Sequence, residues 1–202
     1  GRTALQKVAV EPEAAVSRRE FLRRSAIAGG LALPFTIAGR EVLASPAEAR
    51  AAAVPFQFLT DGEAIDLEAF GEALVPGSAA AGLAHYIDHQ CACPPADSLL
   101  MGRYLGLEPP FGPFYRTALA AVREFLAAAP GETAHRASAL AAALQGAFTG
   151  KPFDAWSGPA AGLVYFVLRS DAVDVVYGTP AGFERLGVPY MAHILPPAGW
   201  GT

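Results

Sequence analysis

Charge is scarce in this chain: Lys, Arg, Asp and Glu make up 17% of its 202 residues, against about 25% in an ordinary soluble domain. Residues 50–202 hold only eight Lys/Arg against fourteen Asp/Glu. That acidic balance argues against nucleic acid as a partner, because phosphate binding rests on clustered Lys and Arg. An under-charged surface in a chain with twelve Phe, six Tyr and two Trp predicts exposed apolar patches, which mark protein interfaces. The alternative reading is an Ala-rich composition that dilutes charge everywhere.

The motifs of the common enzyme classes are missing too. There is no G-x-S-x-G, no G-x-G-x-x-G after a strand, no P-loop, no H-E-x-x-H and no C-x-x-C-H for haem. No apolar run reaches the roughly 20 residues that a membrane-spanning helix needs. The longest candidate, Ser25 to Gly39, has fifteen uncharged residues and is interrupted by Gly29, Gly30 and Pro34. No internal repeat is visible.

What is present begins with an address. Ser17-Arg18-Arg19-Glu20-Phe21-Leu22 precedes that uncharged stretch, and Ala47-Glu48-Ala49 follows it. The order is basic region, apolar region and A-x-A cleavage site. The paired arginines, with Ser17 before them and Phe21 and Leu22 after, resemble the twin-arginine export signal, a receptor-read address for proteins that fold before transport. The expected organisation is a leader over residues 1–49 and one domain over 50–202, large enough for its own core.

The domain reads as all-α, a single small helical unit with long irregular loops and an extended C-terminal tail. Thr60-Asp-Gly-Glu63 is a capping box and predicts a helix start, with Ile65, Ala69, Ala73, Phe70 and Leu74 as its apolar stripe. A short helix is expected over 80–90, and a Pro- and Gly-rich surface excursion over 91–113. Phe114, Ala118, Val122, Phe125 and Leu126 recur at helical spacing and predict a helix over 114–129. Further helices are expected over 133–145 and 158–176; in the second, 164–167 also fits a strand, but its length favours helix. From Gly178 onward the chain reads as an irregular tail.

His85, Asp88 and His89 fall at i, i+3 and i+4, on one helical face, with Cys91 and Cys93 just beyond. Two readings stand. The cluster is a zinc site of a free-standing periplasmic metal-binding protein, against which the C-x-C spacing speaks; or the histidines line a solvated or interface-facing helix side. A Cys91–Cys93 bridge closes a very small, strained ring, so pairing of a cysteine with another chain is the other option. Asp171 and Asp174 read as water-facing or capping groups more than as acid–base partners. Tyr190, Met191, His193 and Trp200, among prolines and glycines, either seal the chain's own core or anchor it in another subunit.

Taken together, the leader, Phe58 to Gly77, Tyr86 to Asp88 and Leu168 to Trp200 resemble the gluconate 2-dehydrogenase subunit 3 family, the small subunits of flavin-dependent sugar and sugar-acid dehydrogenases. The resemblance implies an all-helical, non-catalytic accessory chain without a cofactor of its own. Its implied partners are a large FAD-containing subunit of the glucose–methanol–choline type, a multihaem cytochrome c subunit carrying haem c, and the twin-arginine translocase. The implied location is the periplasm, held at the outer face of the inner membrane through those partners. The family supplies no catalytic residue to carry over. His85, His89, the Cys-Ala-Cys segment and the Pro-rich loop depart from its general pattern. An export chaperone that releases its client after transport is a third reading.

Overall fold

The structure, a computed structural model, describes residues 31–188. Its first element is a hairpin of β1 (Leu33–Ile37) and β2 (Arg40–Ala44), antiparallel with Leu33 opposite Ala44 and Phe35 opposite Val42. The two-residue turn, Ala38 at φ 50° and Gly39 at φ 76°, has the double positive-φ shape whose twist matches that of paired strands. Leu33 and Phe35 point inward while Pro34 and Thr36 face solvent, the period-2 pattern of a strand with one buried face.

Eight helices follow among the described residues: α1 (Pro46–Ala51), α2 (Asp61–Leu74), α3 (Leu83–Ala92), α4 (Met101–Tyr104), α5 (Gly112–Ala128), α6 (Thr133–Phe148), α7 (Ala161–Tyr177) and α8 (Pro180–Arg185). The architecture is therefore helical, as composition and periodicity predict, with the hairpin as an addition. None of these helices is long and apolar enough to cross a membrane. Helix α2 packs against α3, α5, α6 and α7, and α7 also meets α4 and α8. Leu67, Phe70, Tyr115, Leu140, Leu144, Val164 and Leu168 are fully buried between them.

The Thr60 capping box forms as expected: the Glu63 N–H donates to Thr60 Oγ1 at 3.2 Å and the Thr60 N–H to Glu63 Oε2 at 2.8 Å. The buried face of α2 has a different phase from the expected stripe. It consists of Ala64, Leu67, Phe70 and Gly71, and Ile65 is 66% exposed. The expected stripe starting at Ile65 and the observed face starting at Ala64 differ by a rotation of about 100°, which the neighbouring helices decide.

The folded unit also begins well before Arg50. Leu33, Phe35, Ala44 and Ala49 are part of the hydrophobic core, so the hairpin and α1 complete a surface that α3 alone would leave bare. The segment over 91–113 is less of a surface excursion than its prolines suggest. Ser98, Leu100 and Phe111 are buried, and α4 docks on α7. The stretch after Gly178 contains α8, whose N-cap Thr179 accepts the Gly182 N–H at 3.0 Å.

Candidate functional site

Helix α3 carries His85, Asp88 and His89, and each of them binds a different piece of the N-terminal segment. Asp88, 5% exposed, accepts three successive backbone N–H groups: Gln57 at 2.9 Å, Phe58 at 2.7 Å and Leu59 at 2.8 Å. This fixes the linker that leads into α2 and uses the lone pairs a metal ion would need. His85 Nε2 lies 3.1 Å from the Val54 carbonyl and donates to it, and its ring packs on Phe56 at 4.7 Å. His89 hydrogen-bonds the Pro34 backbone and meets Phe35 edge-on at 5.2 Å.

The three side chains thus form a latch that holds the hairpin and the 54–59 linker against α3. Among the described residues no three His, Cys, Asp or Glu side chains gather as a metal-holding group. Burial pushes both histidines below their ordinary value, opposed by their backbone hydrogen bonds. Both Nδ1 atoms are buried without a partner among the described residues, so a second ring proton has nowhere to donate.

Cys91 and Cys93, at the end of α3, are half-buried and unbridged. Burial pushes both thiols up, Cys91 far above the ordinary range, which disfavours the thiolate that metal binding or nucleophilic attack requires. Cys93 Sγ lies 3.3 Å from the Gln90 carbonyl, and Gln90 Oε1 accepts the Leu99 N–H at 2.7 Å. That pair of contacts closes the loop over 93–98.

A polar cluster lies under α4 around Asp171, one of the two carboxylates that sequence reading gives as water-facing or capping; it is buried and capping, and sequence reading does not foresee its partner Tyr115. Asp171, with no exposure, accepts the Tyr115 hydroxyl at 2.6 Å and the Met101 N–H at 2.8 Å. Burial raises its carboxyl to about 7, against the opposing effect of those two donors. Asp174, one turn on, is also raised by burial. Asp171 caps the first turn of α4, which anchors the irregular segment between α3 and α5.

The buried polar groups therefore serve the fold, and the surface carries the apolar feature that composition predicts. At the junction of α6 and α7, Phe148 stacks on Phe166 with ring centroids 5.7 Å apart and meets Tyr165 at 5.6 Å. Phe148 is 51% exposed and Phe166 36%. Gly162 makes this possible, since a Cβ there would sit 2.9 Å from Phe148 Cα. Ile65, also exposed, lies on a shallow groove with Val54, Phe56 and His85.

Ser17, Arg18, Arg19, Phe21 and Leu22 of the export signal lie outside the described residues, as do Tyr190, Met191, His193 and Trp200 of the expected interface. Compared with protein-family models, with curated proteins and with solved structures, this chain matches none.

Proposed function

We propose that this chain is a non-catalytic accessory subunit of an exported flavin-dependent dehydrogenase of the glucose–methanol–choline type, acting on a sugar or sugar acid. It binds the large FAD-containing subunit, helps it fold and carries it through the twin-arginine pathway on its own leader. A multihaem cytochrome c joins the complex as electron acceptor. The observation that carries the binding role is the stacked, solvent-facing Phe148–Phe166 pair with Tyr165 beside it. Aromatic side chains bring large apolar area to an interface at low conformational cost. The twin-arginine-like leader and the family resemblance supply the identity of the partner.

The reading predicts that one address moves two proteins. Replacing Arg18→Lys and Arg19→Lys together removes the paired guanidiniums the receptor reads. Both this chain and the flavin-dependent dehydrogenase activity are then expected in the cytoplasm, measured by fractionating the host. Dehydrogenase activity that still reaches the periplasm contradicts the reading.

A further inference from the structure

The residues that read as a leader-cleavage site are folded into the core. A protease that removes a leader takes its substrate as an extended, accessible strand and inserts the small side chains before the cut, here Ala47 and Ala49, into its pockets. In the structure these residues form α1, whose start is locked by a capping box. The Ser45 N–H donates to Glu48 Oε2 at 2.7 Å and the Glu48 N–H to Ser45 Oγ at 3.2 Å.

Ala49 itself has no exposure. Its N–H donates to the Ser45 carbonyl at 3.0 Å, and its carbonyl accepts the Val54 N–H at 3.0 Å. On the other side of the bond that would be cut, Arg50 is held by Glu68 of α2 through two contacts, at 2.9 and 3.2 Å. Pro46 is buried against Gly82, which sits at φ +85° and where a Cβ would stand 2.2 Å from the Pro46 carbonyl oxygen. Upstream, Leu33 and Phe35 tie the hairpin to the core, and His89 grips it from α3.

Presenting the Ala49–Arg50 bond as an extended strand therefore requires unwinding α1, breaking the Arg50–Glu68 pair and withdrawing Ala49 from the core together. We infer that the Ala47-Glu48-Ala49 site is cryptic. Folding protects the Ala49–Arg50 bond, residues 33–51 are a permanent part of the domain, and a chain that folds before export keeps its leader. The inference rests on the leader reading above, and it adds that the order of folding and processing decides the form of the protein.

The test uses the purified full chain and a purified bacterial leader peptidase in detergent micelles, read by intact mass. Its partner is the variant Leu33→Asp/Phe35→Asp, which places two charges where the hairpin meets the core. The expected result is a variant that loses its first 49 residues and a wild-type chain cut on the order of 100-fold more slowly, since cleavage follows the population of the opened state. Equal cutting of both overturns the inference. So does failure to cut either, because burial would then not be what protects the bond. Neither result depends on a flavoprotein partner, so the accessory-subunit reading fails or holds separately.

Discussion

The carboxyl of Asp171 on α7 accepts the hydroxyl of Tyr115 on α5 at 2.6 Å, at a position with no solvent exposure. Burial raises its folded-state value to about 7 from an ordinary 3.8, so the folded chain holds a proton that the unfolded chain releases. Its contribution to stability is complete below the ordinary value, declines as pH rises through that window and is lost above it, with a limiting slope of about 1.4 kcal/mol per pH unit. Asp171→Asn keeps an acceptor for the Met101 N–H and removes the ionisation. Thermal melts at pH 5 and pH 8 should show the variant gaining on the wild type as pH rises. An unchanged difference at the two pH values would contradict a buried ionisable carboxyl.

Asp88 binds three consecutive backbone N–H groups of the 57–59 linker. Asp88→Ala takes from those three N–H groups the carboxylate that accepts them. Hydrogen bonds to a charged acceptor contribute about 1.5–3 kcal/mol each and are not additive, so a loss of about 3–5 kcal/mol in urea unfolding is expected. A loss under 1 kcal/mol would mean that the linker has another anchor.

His85 and His89 have folded-state values lowered by burial. As pH falls below the unfolded value of about 6.5, the unfolded segment takes up protons that the latched rings refuse, and stability is lost. Hydrogen exchange of the Phe58, Leu59 and hairpin amides, corrected for intrinsic rates, should lose protection between pH 7 and 5 while the α6 amides keep theirs. Uniform behaviour of both sets would contradict a local latch.

Gly162 lets α7 approach the end of α6, with Phe148 Cα only 2.9 Å from where a Cβ would stand. In most helix interiors Gly→Ala stabilises by up to about 1 kcal/mol. Here the clash is with backbone, which cannot swing aside as a side chain can, so Gly162→Ala should destabilise by about 1–3 kcal/mol and splay the aromatic patch. A stabilised variant would show that the two helices separate freely.

Phe148→Ser with Phe166→Ser removes the exposed aromatic pair. Because both rings are substantially exposed, the melting temperature should shift by only a few degrees, while association with the proposed flavoprotein partner is expected to be lost. Retained association would move the interface to another surface.

Much of the helical plan is legible from spacing because it depends on neighbours along the chain. Thr60 and Glu63 close the capping box that their separation predicts, and the stripe from Ala118 through Val122 to Leu126 is buried as its period requires. What is not legible depends on which surface each element meets. Ile65 and Ala64 are adjacent in sequence, and only the positions of α5 and α6 decide that Ala64 turns inward.

The N-terminal residues show a different cause. The uncharged run up to Gly39 invites a reading by hydropathy alone, yet Leu33, Phe35 and Ile37 alternate and the Ala38-Gly39 turn joins them to a second strand. Two features therefore coexist in one stretch, a leader-like composition and a hairpin-like period, and composition masks the period. Asp171 falls four residues after Val167 and seven after Val164, on the buried stripe of α7. Its charge points to a water-facing or capping position, and the structure shows the second, in a buried setting. The histidine face of α3 was visible as a cluster, but its ligands, the Val54 and Pro34 backbone and the 57–59 amides, lie about thirty to fifty-five residues upstream, beyond the reach of local spacing.

On the proposed function, this chain works by binding a flavoprotein. The full chain should be tagged, purified gently from its own host, and measured for flavin absorbance and native mass in the same fraction. The account predicts a complex with one flavin per copy of this chain and a mass several times its 20.9 kDa. A flavin-free species of the mass of this chain alone, from cells that express it at its normal level, would contradict it.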